Sequence, residues 1–403
     1  MPESIIPHHK KLPNIYRSSS FQTFGKKSLV FLLEWCRLGP GESFELYMTS
    51  TLRIFLALFV GFTASARADL IDDYVLSQMS LKQVPGLSLA VLHDGKVLKT
   101  RGYGLANVEL TASATEETVF EIGSITKQFT AALVLMLIEE NKLGLEDSVT
   151  KYFTNAPESW KPITLRHLLT HTSGIKNYTG LPGFECSKHL NADQFTKAIS
   201  AYPLASEPGQ KFAYCNSGYN LLGFIIEKVT GKSYWEMLNA RILTPLGMKA
   251  TQSRDTRKVI MHRASGYEKE KNVLLNRERE LTDIFSAGAI SSTVLDLIKW
   301  NSALESGRLL KPASIDLMWT PTKLTTGEMY PYGFGWRMDD YHGSKCIGHG
   351  GSTSGFSSTI KRFPQARLAV IVLSNSGEEG IASEIAKGVA DFLLPSHQPV
   401  ARK

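Results

Sequence analysis

The sequence lacks a hydrophobic run long enough to cross a bilayer. The stretch from Ile54 to Phe62 has nine apolar residues, against about 20 for a spanning helix. Only four cysteines occur in 403 residues, too few for a disulfide-stapled scaffold, and a chain of this length can bury a core without staples. Self-similarity with a period of about 20–50 residues is missing, which excludes solenoids and propellers. No clustered spacing of His, Cys, Asp and Glu suits a metal ion. A stripe of one charge sign is missing too. The net charge is +7, but +4 of it comes from residues 1–68, leaving +3 for the rest, so a nucleic-acid partner is excluded. Gly 32 and Pro 17 are ordinary, and 43% apolar with 21% charged residues is a globular composition, so neither disorder nor a fibre fits.

Residues 48–68, MTSTLRIFLALFVGFTASARA, carry one cation before the apolar core (Arg53), the short apolar core and an Ala66-Arg67-Ala68 cleavage pattern. Those are the three parts of a secretory signal peptide. The spacing predicts cleavage before Asp69, a periplasmic or secreted product, and a mis-called extension over residues 1–47. The same segment as a buried helix would have no use for the small-residue pattern. Export implies an oxidising compartment. Cys186, Cys215 and Cys346 would remain, so at most one disulfide could form, and small buried hydrophobes are the simpler reading.

Residues 69–403 read as one domain without a Pro/Ser linker. Two β-like runs between Pro85 and Gly104 flank His93-Asp94-Gly95-Lys96, and Asp-Gly between apolar runs predicts a hairpin. Three further strands are predicted near 345–375, then an amphipathic helix over 380–394 with Ile381, Ile385, Val389 and Phe392 at helical spacing. The middle is mainly helical. Phe129 to Ile138 is apolar on all sides and predicts a buried helix. ITLRHLLTHTSG predicts a helix stopped by Gly174, SGYNLLGFIIEKVTG one stopped by Gly231, and SSTVLDLIKWNSAL one capped by Ser292 or Thr293. The fold class is α/β in the loose, α+β sense. An antiparallel sheet from N- and C-terminal strands is flanked by helices and interrupted by a mostly helical lobe.

Three short motifs carry chemistry. Ser124-Ile125-Thr126-Lys127 is an S-x-x-K tetrad, which on a helix puts both side chains on one face, so the amine can take the hydroxyl proton. The same spelling recurs at Ser148–Lys151, Ser173–Lys176 and Ser358–Lys361; only Ser124 follows a glycine and opens a strongly apolar helix. Tyr214-Cys215-Asn216 is the second motif. A phenol beside an ammonium can be depressed in pKa and shuttle protons, while the Asn amide can hold a substrate amide; a packed loop Tyr and a helix-capping Asn are the plainer alternative. The third is His349-Gly350-Gly351-Ser352 on a late strand, where glycines suggest close approach to the backbone.

In this order, S-x-x-K, Y-x-N and H-x-G resemble the serine β-lactamase and penicillin-binding-protein superfamily, in its class C β-lactamase, D-alanyl-D-alanine carboxypeptidase and esterase branch. The segments ITLRHLLTHTSG, EPGQKFAYCNSGYNLLG, TPLGM, SAGAISSTVLDLIKW and YGFGW support it, over roughly residues 70–395. The resemblance implies a β-lactamase/transpeptidase-like fold and no cofactor. It implies Ser124 as acylated nucleophile, Lys127 as its base and Tyr214 as proton shuttle. Asn216, His349, Gly350, Gly351 and Ser352 would bind substrate, with the Ser124 and Ser352 N–H groups as oxyanion hole. His349 stands where the family's Lys-Thr-Gly form has lysine, and Gly350 where it has threonine.

A small-molecule ester, amide or peptidoglycan-like substrate follows from that resemblance. With a neutral His349 and no hydroxyl at 350, the anchor for an anionic substrate is weakened, so esters or short D-amino-acid amides are expected to outrun β-lactams. An inactive cell-wall-binding module on the same scaffold is the alternative function. An α/β-hydrolase is disfavoured, because Gly86-Leu87-Ser88-Leu89-Ala90 lacks the last glycine of G-x-S-x-G.

Overall fold

The structure, a computed structural model, describes residues 70–394 except 184, 186, 272 and 278–281. The expectations for residues 1–47, for the signal segment 48–68 and for Cys186 lie outside the described residues. A helix over 70–82 (α1), which the sequence reading passed over, precedes the sheet.

The sheet has seven strands: β1 (Gly86–His93), β2 (Lys96–Asn107), β3 (Ala112–Ser113), β4 (Arg337–Tyr341), β5 (Ser344–Thr353), β6 (Phe356–Phe363) and β7 (Leu368–Ser374), in the order β4-β5-β6-β7-β1-β2-β3. Every neighbouring pair is antiparallel. The β1–β2 hairpin closes where expected, with His93 opposite Lys96. Asp94 and Gly95 have φ of 53° and 72°, the pair of positive values that a two-residue hairpin turn demands. β1 pairs with β7 from Leu87↔Ser374 to His93↔Leu368, so the two ends of the domain meet at the centre of the sheet.

Five helices flank the sheet or carry site residues: α1, α2 (Thr126–Glu139), α3 (Asn216–Thr230), α4 (Val294–Glu305) and α5 (Ile381–Asp391). Leu87, Leu89 and Val91 of β1 face α1 and α5 in one core, while Ala90 and Leu92 face the helical lobe in the other. A central strand covered on both faces reads as an unbroken apolar run. Thr126 to Leu137 of α2 are all buried, as a helix apolar on every side requires. α3 stops at Gly231 with φ 68°, and α4 is capped by Thr293, whose side chain accepts from Asp296 N–H. The helix expected to run to Gly174 is shorter. It spans Leu165–Leu169 and is closed by Thr170, because His171 takes a positive φ of 58° that breaks the helical path. No helix among the described residues is long and apolar enough to cross a membrane.

Candidate active site

The chain reaches Ser124 along a strand, Phe120–Glu121, paired with Ile290–Ser292. Ile122 N–H bonds Ile290 C=O at 3.0 Å, and a short helical turn, Gly123–Ile125, then leads into α2. Gly123 has φ 48°, and a Cβ there would meet the Ser352 backbone nitrogen at 2.7 Å. A Cβ on Gly351 would come within 2.0 Å of Ile122 O. The two glycines thus let the Ser124 turn lie directly on β5. Ser124 itself keeps partial exposure between buried neighbours.

The register of β5 decides what it offers there. The two-residue turn after Thr353↔Phe356 makes that pair hydrogen-bonded, so pairing alternates and Ser352↔Ser357 and Gly350↔Thr359 are the non-bonded pairs. The N–H groups of Gly350 and Ser352 therefore point to the β4 side, and β4 begins only at Arg337, opposite Gly348. The edge beyond Gly348 is open for an extended ligand beside Ser124. Gly123→Ala is expected to lower kcat/KM by about 10²-fold, the cost of displacing one oxyanion donor, because the added methyl must push Ser352 away. An unchanged kcat/KM would show that the approach of the two backbones is not needed.

Lys127 is wholly buried, and its Nζ has three partners: Ser124 Oγ at 3.0 Å, Asn216 Oδ1 at 2.8 Å and Ala287 O at 2.8 Å. Two of these are carbonyl oxygens and can only accept. Burial holds the lysine well below its ordinary pKa. A neutral amine in this place would give two protons to the two carbonyls and turn its lone pair on the Ser124 hydroxyl. The three remaining tetrads are arranged otherwise. Lys151 pairs with Asp147 at 3.1 Å, Ser173 Oγ accepts from Ile175 N–H, and Lys361 faces Asp339 at 3.9 Å.

Tyr214 lies beside them, with Lys127 Nζ 4.8 Å from its ring centroid. Its hydroxyl is buried and has no hydrogen-bond partner. The expectation of a depressed phenol pKa is corrected here: burial pushes it up, and the pull from the Ser124 hydroxyl is too small to reverse that. The reason is the complete burial of the phenol itself. Asn216 opens α3; besides accepting from Lys127, its N–H bonds Asn177 Oδ1 at 3.0 Å and its Nδ2 donates to Thr179 Oγ1 at 3.3 Å. Cys215 and Cys346 are free, buried thiols.

Of the third motif, Gly350 and Ser352 are exposed at the open edge, but His349 is buried behind it. Its Nε2 is 2.9 Å from Tyr332 Oη and its Nδ1 is 2.5 Å from Gly350 O. Burial above all lowers its pKa to about 3. Both ring nitrogens are engaged, so it presents no group to the open edge. Four residues of the site escaped the sequence reading. Ala287 acts through its backbone, which carries no sequence signal. His171 and Tyr332 lie within quoted family segments but were not singled out. Arg337 is exposed at the head of β4, and its positive charge reaches Tyr214, His171 and His349. Only its position after YGFGW hinted at it.

Comparison with known proteins gives the family and the fold. The family model described as Beta-lactamase matches residues 71–393. A penicillin-binding protein of Bacillus subtilis (strain 168) is 31% identical over 333 residues, covering 77% of this chain and 72% of its own length. Protein flp of Staphylococcus aureus (strain MW2) is 32% identical over 323 residues, covering 77% of this chain and 63% of its own, so the chain spans under two thirds of that relative. Among solved structures, an octameric penicillin-binding protein homologue from Pyrococcus abyssi superposes with a TM-score of 0.70 at 32% identity, covering 81% of this chain and 77% of that one. The D-amino acid amidase of Ochrobactrum anthropi SV3 gives a TM-score of 0.69 at 27% identity, covering 81% and 96%.

Proposed function

The chain belongs to the beta-lactamase family and is a serine hydrolase, and from that premise we propose that it is exported and cleaves esters and D-amino-acid amides through an acyl-enzyme on Ser124. The observation that carries the mechanism is the Lys127 amine, held between two carbonyl acceptors and 3.0 Å from Ser124 Oγ. Neighbouring groups with pKa values pushed apart mark the base and the acid. Lys127 is pushed down and Tyr214 up.

Acylation then balances as follows. Lys127 Nζ takes the Ser124 proton while Oγ bonds to the carbonyl carbon. The oxyanion sits between the N–H groups of Ser124 and Ser352. As the C–N or C–O bond breaks, Tyr214 Oη gives its proton to the leaving group and regains one from the Lys127 ammonium. In deacylation a water replaces the leaving group, loses its proton to the same pair, and Ser124 departs with the proton that Lys127 returns. Asn216 holds the substrate amide. The Tyr214 hydroxyl, buried beside Ser124, is placed to meet the leaving group.

Arg337 alters the reasoning on substrate. The third motif lacks a cation, but this guanidinium stands at the head of β4, next to the open edge, and favours substrates that end in a carboxylate. The D-amino acid amidase likeness supports the D-configured amide. Export rests on the pattern at residues 48–68, and a small-molecule or peptidoglycan-like substrate outside the cell would match it. The test compares kcat/KM for p-nitrophenyl butyrate, a D-amino-acid amide, a D,D-dipeptide and a chromogenic cephalosporin. Arg337→Gln is expected to raise KM about tenfold for the two carboxylate substrates, the loss of one exposed-to-half-buried charge contact, and to leave the ester and amide unchanged. Equal effects on all four would remove the carboxylate role. Cephalosporin turnover faster than ester and amide turnover would make the protein a β-lactamase instead, and no turnover of any would favour the binding module.

A further inference from the structure

The chemistry above makes no use of three buried side chains behind the site: His171, Tyr332 and His349. His171 follows the helix Leu165–Leu169 in the left-handed region, with φ 58°. That conformation aims two acceptors at the loop carrying Tyr214. The His171 carbonyl accepts from Ala213 N–H at 2.8 Å, and its Nδ1 accepts from Cys215 N–H at 3.1 Å. The residues on both sides of Tyr214 are thereby tied to His171, whose ring lies 4.3 Å from the Tyr214 ring. From there the contacts continue to the substrate strand. His171 Nε2 is 3.1 Å from Tyr332 Oη, Tyr332 Oη is 2.9 Å from His349 Nε2, and His349 Nδ1 is 2.5 Å from Gly350 O.

Resting on the acyl-enzyme reading, we infer that His171, Tyr332 and His349 are positioning residues: a strut of ordered hydrogen bonds that sets the gap between Tyr214 and the Gly350 edge of β5. Tyr332 Oη also meets the Tyr219 hydroxyl, whose own proton goes to Leu169 O, so the proton order is fixed by the two backbone ends of the strut. Cys215 N–H can only donate, so His171 Nδ1 is bare and the neutral ring carries its proton on Nε2. That N–H donates to Tyr332 Oη, which leaves the Tyr332 proton to donate to His349 Nε2. His349 therefore carries its proton on Nδ1 and donates to Gly350 O, which can only accept. Both ends are backbone groups that neither release nor take up a proton, so the chain is a support and not a proton wire. A proton added to either ring would set two donors face to face. The groups around the rings oppose it as well: Arg337 on β4 and Lys361 on β6 are cationic, Lys127 on α2 is an amine held below its ordinary pKa, and Tyr214 and Tyr219 are neutral phenols. A strained φ at a non-glycine residue, held at 58° by these contacts, is the kind of local conformation that persists when surrounding structure enforces it.

The test uses nitrogen-15 spectra of the histidine rings in the whole protein, together with kinetics of two variants. In the wild type, His171 is expected as the Nε2–H tautomer and His349 as the Nδ1–H tautomer, both neutral from about pH 5 to 8. Tyr332→Phe keeps the packed ring and removes the central hydroxyl; the His349 Nε2 resonance should then shift as its hydrogen bond is lost, while Gly350 O keeps the proton on Nδ1. His171→Asn keeps an acceptor for Cys215 N–H and tolerates positive φ, but cannot reach Tyr332. Each variant is expected to lower kcat/KM by roughly 10–100-fold, mainly in kcat, as misplacement of a catalytic group does. The double variant should be no worse than the poorer single one, because both cut the same strut. Opposite tautomers, a histidine that titrates in the wild type, or additive losses would overturn the inference. The tautomers are read without turnover, so an inactive protein that shows them contradicts the hydrolase reading alone. An active protein with the opposite order contradicts the strut alone.

Discussion

Ser124→Ala is expected to lower kcat/KM by at least about 10⁴-fold, the scale on which removal of an acylated nucleophile is felt, with little loss of stability. The side chain is partly exposed, is hydrogen-bonded to Lys127 and adjoins the Tyr214 hydroxyl. Losing that bond should cost about 1 kcal/mol, which is a few degrees of melting temperature or less for a domain of this size. Rate and melting curve measured on one preparation check both halves. A variant retaining more than a few per cent of the activity, or one that unfolds, would contradict the assignment.

Lys127→Met is expected to be nearly as inactive, by about 10⁴-fold, the upper end for a general base, because Lys127 also orients Ser124 and Asn216. Its effect on stability has a direction set by linkage. Burial lowers the Lys127 pKa in the folded protein, whereas the unfolded chain keeps a value of about 10.4. Between those values the unfolded chain binds more protons, so wild-type stability rises with pH through that window and is lost again as pH falls. Methionine has no such dependence. The melting temperature of the wild type relative to Lys127→Met should therefore climb from pH 7 to 10, measured by thermal scans at fixed ionic strength. Parallel curves would mean that the lysine is not held neutral.

Much of the frame was legible because it depends on local rules. The Asp94-Gly95 turn, the all-apolar α2 and the Gly231 stop each follow from short-range chemistry. The helix at 70–82 was not read, since its apolar residues Ile71, Val75 and Met79 are interleaved with Asp72 and Asp73 in a segment that follows the leader-like stretch. The helix around Leu165 was read too long, because nothing in the local sequence shows that His171 abandons the helical path for bonds to Ala213 and Cys215, over 40 residues away. The site divides in the same manner. Ser124 and Lys127 are three residues apart, so their contact was readable, and Asn216 and Ser352 came from the order of motifs. The Ala287 carbonyl and the Tyr332 hydroxyl act from sequence separations of 160 and 17 residues on their partners, and only the folded chain brings them in. The direction of the Tyr214 shift escaped for a related reason: it hinges on how deeply Tyr214 itself is buried in the folded chain.

Trapping the acyl-enzyme tests the central claim most directly. The chain starting at Asp69 is treated with a fluorophosphonate and, separately, with a slowly deacylating D-amino-acid ester, and its intact mass and digested peptides are measured. One adduct should form on the wild type, on the peptide that contains Ser124. Lys127→Met should label far more slowly, and Ser124→Ala should not label at all. An adduct on Ser173 or Ser358, or an unchanged mass in the wild type under conditions where a known serine hydrolase is fully labelled, would contradict it.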